Sequence, residues 1–411
     1  MTSSRKDRRI LIYSHDSFGL GHLRRCRTIA HALVERDKHL SVLIVTGSPI
    51  IGSFTFKARV DFVRVPGVIK LRDGSYVSLS LLTDIKETLA IRESIIRHTA
   101  QIFSPDLFIV DKEPLGLRGE VRATLELLKE KGTRLVLGLR DVMDDPVHLA
   151  PEWQRKKAMP ALRDLYDEIW VYGLQQIADP LDGLAVPASV RQKMIYTGYL
   201  PRMLPPRTGN SSRTLQKISA PYILVTAGGG GDGDAIIDWV LKAYEQDRTL
   251  PYPALLVLGP FMKSEHQAAY LARAARLPNV EALTFDAQLE QLMADAIGIV
   301  AMGGYNTFCE ILSFDKRALI VPRTRPRLEQ LIRAKRAAEL GLVTMLRENG
   351  RRPASIMAEA LHRLPAQNVP SAVVIPGILN GLATIHKRAI HSPALAKIKK
   401  TSRSPRLSYE E

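Results

Sequence analysis

The chain has 411 residues, which at roughly 150 residues per domain points to two or three domains. Hydrophobic residues make up 45% and charged residues 24%, the mix of a globular protein with filled cores, which excludes disorder over most of the length. Lys and Arg number 58 against 42 Asp and Glu, a net charge of +16. That excess fits an anionic partner (nucleotide phosphate, an acidic membrane surface or nucleic acid) or merely a basic solvated surface.

The first half alternates short apolar runs with amphipathic stretches. Strands are expected at 9–15, 40–47, 61–67, 106–112, 134–141 and 168–173, with helices between them such as 23–35, 82–101 and 117–131. Consecutive apolar, β-branched residues suit strands buried on both faces of a parallel sheet, and the alternation means a doubly wound α/β domain. Pro, Gly, Ser and Thr crowd the stretch from Met203 to Gln216, which is linker chemistry. The expected organisation is an N-terminal Rossmann-like domain over 1–203, a linker over 204–216 and a second such domain over 217–391. The second domain has strands at 221–229, 253–259, 280–285, 298–304, 317–322 and 343–346. A last helix near 376–391 is placed to pack back across the cleft. Residues 392–411, with Lys397, Lys399, Lys400, Arg403 and Arg406, read as a basic disordered tail.

Cys26 and Cys309 fall in expected helices, so no disulfide framework is implied and a reducing cytoplasm fits. The apolar run 10–13 is too short for a signal-peptide core, and no stretch reaches the roughly 18 apolar residues of a membrane span. A soluble cytoplasmic protein is expected, with peripheral contact at the inner membrane face left open. Aromatic residues are 6% and not interleaved with basic ones, which argues against nucleic acid.

Three constellations carry chemistry. Gly19-Leu20-Gly21-His22 lies between the first strand and its helix. Glycines there let backbone amides approach a ligand, and His22 in the first helical turn can take a proton from a hydroxyl; Arg24 and Arg25 can meet phosphate or carboxylate. Gly228, Gly229, Gly230 and Gly231 form a second such turn, suited to a diphosphate at a helix N-terminus. Asp232 and Asp234 spell a DxD metal motif, but read better as helix caps. In the third, Gly303 and Gly304 end a strand, Asn306 and Thr307 open a helix, and Glu310 follows one turn later, where a carboxylate can accept from a ribose diol. Arg323, Arg325 and Arg327 occupy the next loop, before Glu329 and Gln330. Asp141, at the end of a strand, either orients His22 or the acceptor, or caps a helix.

The run GLGHLRRCRTIAHAL resembles the glycine-histidine region of glycosyltransferase family 28, typified by the bacterial N-acetylglucosaminyltransferase that forms lipid II. The run 294–334 is similar, without gaps, to the sugar-nucleotide segment of the same family. The resemblance implies a GT-B fold, two Rossmann-like domains facing a cleft, and metal-independent transfer from a UDP-sugar with no cofactor. It implies Glu310 on the ribose, Gly228 to Gly231 under the diphosphate, and Phe285 near the uracil. Glu329 and Gln330 fall where the family has a Gln-Gln pair on the donor sugar; the first departs from it. His22 matches the family histidine. GLGHLRRC also resembles the UDP-sugar hydrolases of nonulosonic acid synthesis, which share the fold and direct the histidine at water. The reading is therefore transfer to a hydroxyl acceptor, lipid- or polysaccharide-linked acceptors of the cell envelope included. Hydrolysis and non-enzymatic anion or nucleic-acid binding are its rivals.

Overall fold

The structure, a computed structural model, describes residues 7–15, 21–71, 75–204, 221–229, 231–286, 288–347 and 350–390. Gly19, Gly230, nearly all of the expected linker and the expected tail lie outside the described residues.

The first half runs β1 (Arg8–Ser14), α1 (Gly21–Arg36), β2 (Leu40–Thr46), β3 (Val60–Arg64), β4 (Val68–Lys70), β5 (Tyr76–Ser78), α2 (Ile85–Phe103), β6 (Leu107–Asp111) and α3 (Arg122–Glu130). It continues with β7 (Arg134–Arg140), α4 (Pro146–Arg155), α5 (Ala158–Asp164), β8 (Glu168–Tyr172), α6 (Ala188–Arg191) and β9 (Met194–Tyr196). Among the described residues the large sheet has the order β3-β2-β1-β6-β7-β8-β9, with every neighbouring pair parallel. β6 is buried along its whole length, as an apolar run covered on both faces requires. Asp84 caps α2 by accepting from the Glu87 amide at 2.8 Å, and Asp145 caps α4 ahead of Pro146.

The second half runs β10 (Ile223–Thr226), α7 (Asp234–Gln246), β11 (Ala254–Val257), α8 (Ser264–Ala275), β12 (Val280–Leu283), α9 (Leu289–Asp295) and β13 (Gly298–Ala301). It ends with α10 (Tyr305–Ser313), β14 (Arg317–Ile320), α11 (Glu329–Glu339), β15 (Thr344–Met345), α12 (Ala354–Arg363) and α13 (Gly381–Ile390). Its parallel sheet has the order β12-β11-β10-β13-β14-β15. Each sheet reverses its winding once, between β1 and β6 in the first and between β10 and β13 in the second. Doubly wound sheets bind ligands outside the strand ends at such a point.

α13 leaves its own sheet and packs on α1. Arg8 Nη1 donates to the Ile390 carbonyl at 2.6 Å, and Arg134 Nη1 to that of Arg388 at 2.8 Å. Gly381 has to be glycine at this crossing, since a Cβ there would lie 2.5 Å from the Tyr199 carbonyl oxygen. The helix expected near 376–391 thus does return to the first half. Four elements escape the sequence reading: the β4–β5 hairpin, α6 and β9 are too short to show a period. The expected helix 117–131 is instead broken at Gly119, where φ is +97°, so that α3 begins only at Arg122.

Candidate active site

The switch point of the first sheet holds a tight polar cluster. α1 begins at Gly21, so His22 lies beside the end of β6. His22 Nδ1 is 2.5 Å from Asp111 Oδ2. Arg25, one turn further along α1, donates Nε to Asp111 Oδ1 at 2.8 Å and Nη2 to Oδ2 at 2.6 Å. Burial pushes the Asp111 carboxyl up, but Arg25 and His22 outweigh it and hold it well below the usual carboxylate range. A carboxylate that stays charged fixes the proton on Nδ1 and leaves Nε2 as the acceptor. Burial lowers the His22 pKa to about 4, against the pull of Asp111, so the ring is neutral near pH 7.

Asp111 was not anticipated. The role expected of Asp141 as partner of His22 belongs to Asp111 instead. Asp141 is fully buried, takes two bonds from Arg333 (Nη2–Oδ1 2.6 Å, Nε–Oδ2 2.7 Å) and accepts from the Tyr199 hydroxyl at 2.7 Å. It joins the two halves, since Arg333 lies on α11. The Tyr305 ring, at the start of α10, stands between both buried pairs, 5.5 Å from the Arg25 guanidinium and 5.7 Å from that of Arg333.

The second wall surrounds the other switch point. Gly228 has φ +62°, and its amide is held by Thr226 Oγ1 at 3.2 Å. Gly229 and Gly231 lie against Phe261, whose amide donates to the Gly229 carbonyl at 2.9 Å. Phe261 is the other residue that the sequence reading passed over, although an aromatic just after a buried strand is a usable signal. Phe285, following the neighbouring strand β12, is 57% exposed, and Phe261 is 40% exposed. Gly303 has φ +75°, with Ile320 packed where its Cβ would be. A Cβ at Gly304 would lie 4.0 Å from the Gln330 amide nitrogen, and Thr307 is half-buried on α10.

Several expected ligand groups are engaged by the protein itself. Glu310 is buried and accepts from Arg24 Nη2 at 2.9 Å; Arg24 also binds Glu290. Burial raises the Glu310 pKa, with Arg24 opposing. The carboxylate expected to be open to a ribose therefore lies beneath Arg24, which reaches over from α1. Asn306 bridges the halves, accepting from Arg202 at 2.7 Å and donating to the Gly21 carbonyl at 3.3 Å. Arg323 pairs with Asp232 and, at 2.7 Å, with Glu329, while its amide is held by Gln330 Oε1 at 3.2 Å. Arg327 reaches Glu152 of α4 at 2.9 Å, leaving the exposed Arg325 as the cation of that loop with no carboxylate among the described residues. Asp232 and Asp234 do not cap α7 as expected: its N-cap is Gly233, and Asp234 pairs with His266 at 2.6 Å. Among the described residues no group of three potential metal ligands occurs, and no helix is long and apolar enough to cross a membrane.

Residues 222–371 match the profile of the glycosyltransferase family 28 C-terminal domain. The fold is shared along the chain with the calicheamicin glycosyltransferase CalG4 (TM-score 0.59, 16% identity, 98% of this chain and 100% of that one). UGT2 of Phytolacca americana, solved with UDP-2-fluoroglucose and pterostilbene, gives a TM-score of 0.61 at 13% identity over 96% and 99%. MurG of Acinetobacter baumannii gives 0.53 at 12% over 97% and 100%. No characterised protein matches the chain by sequence. The fold of this chain is therefore the two-domain fold of these glycosyltransferases, termed GT-B. Within that fold, the C-terminal half carries the region similar to the family 28 C-terminal domain.

Proposed function

We propose that this protein moves a sugar from a UDP-sugar to a hydroxyl acceptor, without a metal ion, with His22 as general base. The observation that carries the reading is the His22–Asp111 contact of 2.5 Å at one switch point, beside Gly21 and Arg24, which bond to Asn306 and Glu310 of the other half. The donor lies on the second half. Its diphosphate sits at the Gly228–Gly231 turn and the N-terminus of α7, its base near Phe261 and Phe285, and its ribose against Glu310 once Arg24 has swung aside. The acceptor hydroxyl gives its proton to His22 Nε2 as its oxygen bonds to the anomeric carbon, and the carbon–phosphate-oxygen bond breaks. Asp111 stabilises the imidazolium that forms, as the Asp of a catalytic triad does. The amides of the glycine turn and Arg325 stabilise the departing diphosphate. Exposed Leu81 and Leu82, just after the β4–β5 hairpin on the acceptor side, favour an acceptor with an apolar, lipid-linked part.

Two results test the donor side. Glu310→Ala is expected to weaken UDP binding about tenfold or more, as loss of charge-assisted hydrogen bonds does. Unchanged affinity in calorimetry removes Glu310 from the site. EDTA is expected to leave turnover unaffected, because Asp232 and Asp234 are already engaged by Arg323 and His266. A strict requirement for a divalent ion would return both acids to the mechanism. Release of free sugar with no acceptor dependence would favour the hydrolase instead. Failure to bind any nucleotide-sugar, with salt-sensitive binding to polyanions, would favour a non-enzymatic role.

A further inference from the structure

The buried cations of this molecule mostly come with a carboxylate in close contact. Arg25 has Asp111, Arg92 has Glu120 at 2.6 Å, and Arg333 has Asp141. Two half-buried cations at the ends of β6 and β7, the first of them near His22, break the pattern. Arg140 ends β7, and among the described residues its side chain makes no hydrogen bond and no ion pair; its Nε is shut off from solvent without an acceptor. Its main attraction is to Glu329 across the cleft, which bonds instead to Arg323 and leaves its own Oε2 buried without a partner. Lys112 follows β6 directly and is 15% exposed. The carboxylate near it, Glu113, is 3.6 Å away and is shared with Lys156 at 2.8 Å.

The two cations are neighbours. The Lys112 amide donates to the Gly138 carbonyl of β7 at 2.8 Å, which sets both side chains at the ends of adjacent parallel strands. Lys112 holds φ at +68°, a conformation that a residue with a side chain rarely adopts and that tends to persist where a site uses it. Burial draws the Lys112 pKa down to about 8, with Arg140 adding to the fall, and burial draws that of Arg140 to about 10, with Arg25 and Arg333 adding to it. His15 adds a third group: it is 6% exposed, its Nδ1 has no partner, and its ring centroid is 5.6 Å from that of His22. Two under-neutralised cations and an unpartnered imidazole, all on the acceptor side, form a built site with an anion missing from it.

We propose that Lys112 and Arg140 hold an anionic group of the acceptor, a phosphate or a carboxylate, so that a hydroxyl of the same molecule meets His22. The ligand class is a hydroxylated phosphate or carboxylate, and a neutral alcohol fits the site poorly. The proposal rests on the transferase reading above for the role of His22, but anion binding can be measured without turnover.

The test is calorimetric titration of the full chain saturated with UDP, using glucose 6-phosphate, glucuronate, farnesyl phosphate in detergent micelles, and glucose. At least one anionic probe is expected to bind, and glucose not. Binding should weaken tenfold or more in Lys112→Met and in Arg140→Met, with UDP affinity within twofold of the parent. Glucose 6-phosphate alone would identify soluble sugar phosphates, farnesyl phosphate alone a lipid-linked phosphate, and glucuronate alone a carboxylate. Lys112→Gln and Arg140→Gln serve if either Met variant does not fold. Absence of anion binding, or binding indifferent to all four variants, overturns the proposal. So does a tenfold loss of UDP affinity, which would assign both cations to the donor diphosphate. If UDP itself fails to bind, the transferase reading is lost, and titrations without UDP still decide whether this anion site exists.

Discussion

His22→Ala is expected to lower turnover by two to four orders of magnitude while UDP binding stays within a few-fold of the parent. General base catalysis contributes about 10²–10⁴ in rate, and His22 touches none of the groups proposed for the donor. Asp111→Asn should reproduce most of the loss, because an amide can donate to Nδ1 and so favours the wrong tautomer of the ring. The pH profile gives a second readout. A base works only when neutral, and a His22 pKa lowered to about 4 keeps it neutral well below the ordinary histidine value of about 6.5. Below about pH 7, where Lys112 is also charged, kcat/KM is therefore expected to hold steady to about pH 5 and to fall as pH passes below that. The groups facing the ring set this balance: Asp111 favours the charged form, whereas Arg25 and Lys112 oppose it together with burial. Turnover unchanged in His22→Ala would remove the residue from the reaction. An acid limb near 6.5 would mean that the ring is more open to water than its 18% side-chain exposure indicates.

Asp141→Ala is expected to destabilise the protein by about 3–5 kcal/mol, the usual cost of removing one partner from a buried ion pair. The variant leaves the Arg333 guanidinium, itself 1% exposed, without its carboxylate, and the Tyr199 hydroxyl without an acceptor. The midpoint of urea unfolding, followed by fluorescence of Trp170 in one sheet and Trp239 in the other half, reads the change. Asp141→Leu combined with Arg333→Met should recover much of the loss, since exchanging a buried pair for apolar side chains is often neutral or better. Glu359→Ala is the control. Its partner Arg363 is 75% exposed, so the midpoint should hardly move. A small effect at Asp141 would mean that water or another group replaces the lost carboxylate. The pH limb assigned to His22 should stay in place in Asp141→Asn, which separates a structural tie from a catalytic one.

The contrast between Asp111 and Asp141 marks how far the residues could be read in one dimension. Asp111 ends β6 and Asp141 follows β7, both largely apolar and buried strands, and only Asp141 was expected to serve the histidine. Strand order decides between them: β6 lies against β1, whereas β7 is one strand further away. His22 therefore meets an acid 89 positions distant and misses the other. The same applies to Arg24 and Glu310, which were read as two separate ligand contacts and turn out to bind each other across 286 positions.

Local chemistry was legible from the chain alone. Apolar runs buried on both faces, interrupted by a Pro/Gly/Ser/Thr-rich stretch at 203–216, pointed to two parallel sheets each covered by helices on both sides. Glycines at strand-to-helix turns marked Gly21, Gly228 and Gly303, because amides can approach a ligand there, and positive φ at the latter two suits residues without a side chain. His22 was visible for the same reason. What the tertiary structure alone decided is pairing. Which carboxylate each buried cation meets follows from strand order and from how the two halves face one another, and no spacing in the sequence encodes either. Asp111 on His22, Asp141 on Arg333, Arg24 over Glu310, and the two cations left over at Lys112 and Arg140 all follow from that packing.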